Sequence, residues 1–176
     1  RMIAKSGAKP KRTILFIGFA GEEFGLLGAQ AWVKAHKDKL PKIANLFNRD
    51  GGPEPPVGIS VPQAMYDDFV KISEPIQKIR PDYPFEVKVR EPRKRPTRMG
   101  GTDASVFAIE GVPTLGFTTE DFKGYDFDYG EIWHTERDLY TKNIPEYQEH
   151  TATVTAIIAL GVANLDKQLS REGLYT

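Results

Sequence analysis

The sequence contains no cysteine in 176 residues, so disulfide staples, thiolate metal ligands and a cysteine nucleophile are all excluded. Net charge is missing as well: Lys plus Arg and Asp plus Glu both number 24. That balance gives no electrostatic reason to expect a nucleic acid or an acidic membrane surface as partner. No apolar run approaches the length needed to span a bilayer. Histidine is scarce, with 3 residues, so each can be weighed singly. The first residues do not have the pattern of a signal peptide, and position 1 is Arg. Instead Arg1-Met2-Ile3-Ala4-Lys5 reads as the last turns of a helix ended by Ser6-Gly7. The expectation is a chain cut from something longer, with residues 1–176 forming one domain. Its composition, 40% hydrophobic and 27% charged, is that of an ordinary globular protein.

What is present is concentrated in the run from Phe16 to Gly28, Phe-Ile-Gly-Phe-Ala-Gly-Glu-Glu-Phe-Gly-Leu-Leu-Gly. Thr13 to Ala20 is almost continuously apolar, the pattern of a parallel strand covered on both faces. The next segment places Phe24, Leu27, Ala31 and Ala35 on one face of a predicted helix. Between them stand Glu22 and Glu23. Acids at the carboxyl end of a strand in an open α/β sheet face the crevice where ligands bind. Acids at a helix start also suit the macrodipole. The pair alone leaves both readings open.

Further along, Ile43 to Asn48 is a second short apolar run, ending at Arg49-Asp50-Gly51-Gly52-Pro53, where glycines allow a sharp turn. Val57 to Val61 reads as a strand. Met65, Phe69, Ile72, Ile76 and Ile79 recur at helical spacing between Pro62 and Arg80, with a kink expected at Pro75. Phe85, Val87 and Val89 alternate with charged residues, as in a strand with one wet face. The basic run Arg90 to Arg98 either recognises carboxylates or is a solvated loop, the commoner fate of charge runs. Gly100-Gly101-Thr102-Asp103 opens a short helix through Ile109, capped by Thr102 or Asp103, and Pro113 to Phe117 reads as a buried strand. Thr118 to Thr135 is long, aromatic and acidic, and loops of that length inside a domain tend to be functional. Asn143-Ile144-Pro145-Glu146 starts a last helix with Asn143 as cap and a stripe of Val154, Ile158, Gly161, Val162, Leu165 and Leu169. Strands alternating with helices in this way predict an α/β three-layer sandwich with a mostly parallel sheet.

Candidate chemistry collects at or beyond the strand ends: Glu22 and Glu23, Asp50, Asp103 and His134. Carboxylates and imidazole are what zinc accepts besides thiolate. A hydrolytic two-metal site also needs a free acid to take a proton from the bridging water, and adjacent acids suit that division of labour. The remaining histidines have structural explanations. His36 sits near a helix C-terminus, and His150 lies early in the last helix.

With these residues in place, Ala20-Gly21-Glu22-Glu23-Phe24-Gly25-Leu26-Leu27-Gly28 resembles the Gly-Glu-Glu segment of the M28 metallopeptidases, two-zinc exopeptidases of the aminopeptidase type. Asn48-Arg49-Asp50-Gly51-Gly52, Gly100-Gly101-Thr102-Asp103, Gly111-Val112-Pro113 and Trp133-His134-Thr135 agree with the family in order and spacing. The flanks are most similar to the carboxypeptidase Q branch, which cleaves dipeptides. The resemblance implies Glu22 as general base, Glu23 and His134 as ligands of one zinc ion, and Asp50 as ligand of the other. It implies a place near the peptide substrate for Asp103, Gly101 and Trp133, with the aromatic segment walling the pocket. It also implies an extracytoplasmic location.

One departure matters. The family's pattern includes a His and a bridging Asp upstream of the Gly-Glu-Glu segment, and this chain begins after them. The expectation is therefore a zinc-exopeptidase-like fold lacking its N-terminal strands, with a partial or absent zinc complement and no activity by itself. Its exposed sheet edge would be met by homodimerisation or disorder. Two alternatives remain open: a receptor-like binding domain of the same fold, and an acyl-transfer enzyme of the glutaminyl cyclase type.

Overall fold

Val57 to Val61 does form the centre of a sheet, with Gly58, Ile59 and Val61 buried between two neighbouring strands. A computed structural model describes residues Arg1–Thr176. In it β1 (Pro56–Val61) lies between β2 (Glu86–Val89) and β3 (Phe117–Thr119) in the order β2-β1-β3. β2 runs parallel to β1 with Ile59 opposite Val87. β3 runs antiparallel with Ile59 opposite Phe117, and a bulge falls between Pro56 and Gly58. The α/β class is the one observed, with a small sheet that is mixed rather than mostly parallel.

Helices are α1 (Met2–Lys5), α2 (Leu27–Ala35), α3 (Tyr66–Ile79), α4 (Ala104–Ile109), α5 (Tyr129–Ile132) and α6 (Pro145–Asn164). α3 carries Phe69, Ile72 and Ile76 on its buried face, as its spacing predicts, and it continues through Pro75. α6 buries Val154, Ile158 and Val162 against that face and the sheet, forming the main core with Ile59, Val61 and Met65. A smaller core joins α2 to α4 through Leu26, Ala29, Val33, Val106 and Phe107. No helix is long and apolar enough to cross a membrane.

Several expectations are corrected. Thr13 to Ala20 has no regular secondary structure and pairs with no strand, and Leu15, Phe16 and Ile17 are 63%, 77% and 45% exposed. A strand needs a neighbour for its backbone polar groups as well as an apolar pattern, and here no neighbour is present. Ile43 to Asn48 likewise forms no ladder and is tied to the chain around it by Leu46 N–H donating to Pro113 O at 2.9 Å. In the predicted strand from Pro113 to Phe117, pairing begins only at Phe117. α2 buries Ala29 and Val33, while Phe24 and Leu27 are exposed. The cause is Leu26, whose left-handed backbone (φ 60°) delays the helix to Leu27 and rotates its face. Neither expected cap makes a side-chain bond: Asp103 precedes α4 without one, and α6 starts after Ile144, with Pro145 in its first turn and Asn143 outside. Within the basic run, Arg95 spends its guanidinium on the Ile109 carbonyl, at 2.9 and 2.5 Å. That is how a structural loop behaves.

Candidate active site

Glu22 and Glu23 sit in a turn that is closed by backbone alone. Leu27 N–H donates to Gly21 O at 3.1 Å and Gly28 N–H to Ala20 O at 2.9 Å, so the two acids project from a loop pinched at its base. Gly28 has to be glycine here, because a Cβ would lie 2.7 Å from the Ala20 carbonyl oxygen. The acids thus precede the helix and do not occupy its first turn, which removes the macrodipole explanation for them.

His134 reaches this loop from the far end of the sequence. It follows α5, whose first turn is capped by Asp128 accepting from Gly130 N–H at 2.8 Å. Its own backbone is left-handed (φ 55°), an uncommon conformation for a residue other than glycine and a cost met at sites under functional constraint. His134 Nε2 stands 3.0 Å from Glu23 Oε1. The Trp133 ring packs beside it with centroids 4.7 Å apart, while the indole stays 57% exposed.

Asp50 occupies the neighbouring wall. Its loop is held from within by Arg49, which donates to Gly52 O at 2.5 Å and to Glu54 O at 2.7 Å. Asp50 lines a cavity of about 850 Å³ together with Tyr129, Ile132, Leu139 and Lys142. Asp103 is buried, and its Oδ1 has no hydrogen-bond partner. Burial, and then the charge of Asp50, push its carboxyl above the usual value. Glu22 is shifted the same way by desolvation first, then by Glu23, Asp50 and Asp103, with His134 opposing. Four acids and one imidazole therefore share one electrostatic neighbourhood, and the proton affinity of Glu22 rises because of its company. Gly101 is exposed, and a Cβ there would meet open space.

The donor chemistry fits zinc. An imidazole nitrogen and a carboxylate oxygen 3.0 Å apart are spaced as neighbouring ligands of one ion with bonds of about 2 Å. The count falls short, since no group of three His, Asp or Glu side chains converges on one point. The histidines given structural roles keep them: His36 Nδ1 meets Trp32 O at 2.9 Å. His150 is fully buried, stacked on Tyr83 at 3.8 Å with Nε2 3.0 Å from Pro56 O.

Sequence reasoning missed Arg49 and the cavity lining from Leu139 to Thr151. Arg49 was legible as the neighbour of Asp50. Asn143 read as a helix cap, whereas its Oδ1 is buried without a partner beside the cavity.

The chain is similar to several known proteins. Carboxypeptidase Q of Mus musculus is 23% identical over 175 residues, covering 97% of this chain and 33% of the relative. The Xenopus laevis carboxypeptidase Q is 24% identical, also over 97% of the chain and 33% of the relative. A probable zinc metalloprotease of Pyrenophora tritici-repentis is 50% identical over 42 residues, 24% of this chain and 10% of its own. Among solved structures, the peptidase M28 precursor of Shewanella amazonensis superposes with a TM-score of 0.69 at 25% identity, covering 93% of this chain and 34% of its own. The zinc aminopeptidase of Bacillus subtilis shares the fold with a TM-score of 0.62 at 16% identity, over 97% and 40%. This chain thus spans about a third of the length of the curated carboxypeptidase Q relatives it matches. The family match runs over residues 1–158, from the pinched Glu22 loop through the His134 arm into α6, and the chain belongs to peptidase family M28.

Proposed function

We propose that this chain supplies the proton-handling acid and part of the metal-holding shell of a zinc exopeptidase acting on dipeptides or other short peptides. The observation that carries the reading is the Glu23–His134 contact at 3.0 Å, two zinc-compatible donors brought together from opposite ends of the sequence. Glu23 and His134 would hold one zinc ion and Asp50 a second. When bound, zinc polarises the scissile carbonyl and acidifies the water that attacks it.

The protein's own residues do the rest. Glu22 projects beside the donor pair without bonding to it. Desolvation and the neighbouring acids raise its proton affinity, so it is suited to take a proton and pass it to the leaving amine. Asp103, with an unpartnered buried oxygen and a raised pKa of its own, adds to the negative field that does this. Trp133 and Tyr129, both largely exposed beside these groups, give the peptide side chain an apolar wall. The presence of all four acids and His134 favours an enzyme over a receptor-like binding domain.

The test is Glu22→Gln in the full-length protein, assayed on dipeptides and on N-terminal glutamine peptides. Loss of a base costs roughly 100- to 10,000-fold in rate, with zinc content unchanged. Dipeptidase activity surviving within about tenfold would remove Glu22 from that role. Turnover of the glutamine peptides alone would shift the reading to acyl transfer. With only two converging donors, this chain alone is expected to bind zinc weakly and to be inactive. Tight two-ion binding in titration calorimetry would overturn that part. An extracytoplasmic site of action belongs to the same reading and is checked by cell fractionation.

A further inference from the structure

The loops carrying Asp50 and His134 are far apart in sequence, and the aromatic segment between β3 and α6 touches both. Its anchor is Asp121. Oδ1 accepts from the Tyr147 hydroxyl at 2.6 Å and from Tyr125 N–H at 3.0 Å, and Oδ2 accepts from Phe127 N–H at 3.3 Å. Tyr147 is fully buried on α6, and its hydroxyl in turn accepts from Lys123 N–H at 2.8 Å. One carboxylate therefore gathers the turn from Asp121 to Phe127 and ties it to the longest helix. Partial burial alone would raise the Asp121 pKa. The bonds from Tyr147, Tyr125 and Phe127 outweigh it and hold the carboxyl below its ordinary 3.8.

The gathered turn aims a ring at the Asp50 loop. A Cβ on Gly52 would lie 2.5 Å from Phe127 Cζ and 3.2 Å from Tyr129 Cδ2, so the glycine exists to admit the aromatic face. Immediately after Phe127, Asp128 caps α5, and α5 runs to Trp133 and His134. The same few residues thus press on the loop of Asp50 and launch the arm of His134. The ring tip fills the space that a Cβ on Gly52 would need, so a side chain there would require Phe127 to move.

We propose that Asp121 is a positioning residue: by seating Phe127 on Gly52, it sets Asp50 against the Glu23–His134 pair. This rests on the zinc reading above. Asp121 needs no part in the chemistry, since its oxygens are already engaged by Tyr147, Tyr125 and Phe127.

The experiment compares Asp121→Asn and Gly52→Ala in the zinc-loaded full-length protein, with Glu23→Gln and His134→Ala as controls on the reading itself. Zinc release is followed by chelator competition, kcat and KM on a dipeptide, and thermal unfolding on the metal-stripped protein. Gly52→Ala is expected to loosen one of the two zinc ions by about 10- to 100-fold, the usual scale for supports of a metal ligand, and to lower kcat more than KM. Asp121→Asn moves both quantities in the same direction by less. The stripped variants unfold near the parent temperature, whereas a purely structural role would lower that temperature and leave zinc affinity alone. Adding Phe127→Leu to Gly52→Ala restores part of the affinity by making room for the methyl group. Zinc affinity within about twofold of the parent in both variants, while the two controls lose zinc, overturns the proposal and leaves the zinc reading standing. Controls that keep zinc and activity sink the zinc reading and this proposal with it. If Gly52→Ala does not fold, Asp121→Asn decides alone.

Discussion

The half of the chain built on β1, α3 and α6 and the segment from Thr13 to Gly25 are both rich in apolar residues, yet only the first is buried. Ile59 and Val61 are 1% and 0% exposed, whereas Leu15 and Phe16 are 63% and 77% exposed. The first region has partners in three dimensions: two strands flanking β1, and α6 across α3. The second is ordered by local means, a pinched backbone loop and a left-handed residue before α2. Core packing holds one region and turn geometry the other. The residues with chemical potential sit almost wholly on the second kind of support, as expected of loops positioned by a scaffold.

That contrast can be broken or sharpened by measurement. The largest effect is expected from Phe69→Ala, which empties a fully buried position in the main core and should cost about 3–5 kcal/mol in denaturant unfolding. A cost below about 1 kcal/mol would mean that this half does not carry the stability of the chain.

Next comes acid. Burial lowers the His150 pKa below its ordinary 6.5, the bond to Pro56 O opposes this, and Arg80, Asp82 and Lys123 face the ring. In the unfolded chain the imidazole binds its proton near 6.5, and in the folded chain it resists until a lower pH. Stability is therefore fully present above about 6.5 and declines as pH falls towards the folded-state pKa. Unfolding midpoints taken between neutral and mildly acid pH should show this slope, and His150→Phe should flatten it. An unchanged slope in that variant would overturn the assignment to His150, because the strongly shifted carboxyl of Glu146 changes charge only at lower pH. Bonds from Lys123 and Tyr125 hold that carboxyl near a pKa of about 2.

The smallest effect is expected from Phe24→Ser. Phe24 is 84% exposed, and its loss should change stability by less than about 0.5 kcal/mol. A cost several times larger would show that the Glu22 loop is packed in solution and that the two regions are alike.

Much of the framework was legible in the sequence. The spacing of Phe69, Ile72 and Ile76 foretold α3, and Val154, Ile158 and Val162 foretold the buried stripe of α6, because helical periodicity is a local property. Thr13 to Ala20 was read as a strand and is not one, because pairing depends on a partner elsewhere in space. The face of α2 was misread because a left-handed Leu26 shifts its start, and nothing in a Leu-Leu dipeptide announces that. In the candidate site, the pairing of Glu23 with His134 was expected from the family resemblance alone, and the structure brings the two side chains to 3.0 Å. The Asp121 anchor and the Phe127–Gly52 contact were not legible, since an acidic aromatic loop says nothing of which ring meets which glycine.

The pinched base of the Glu22 loop separates two duties that most loops mix. Closure belongs to main-chain atoms, those of Ala20, Gly21, Leu27 and Gly28 at the base and the Glu22 carbonyl, which accepts from Gly25 and Leu26 N–H, while the acid side chains take no part in it. Glu22, Glu23 and Phe24 can therefore be exchanged for other side chains while the loop keeps its shape, so the tip is a socket for chemistry. Gly28 is the reverse, chemically silent and spatially irreplaceable. A chain that had kept Gly28 and lost both acids would still present this loop with the same backbone closure.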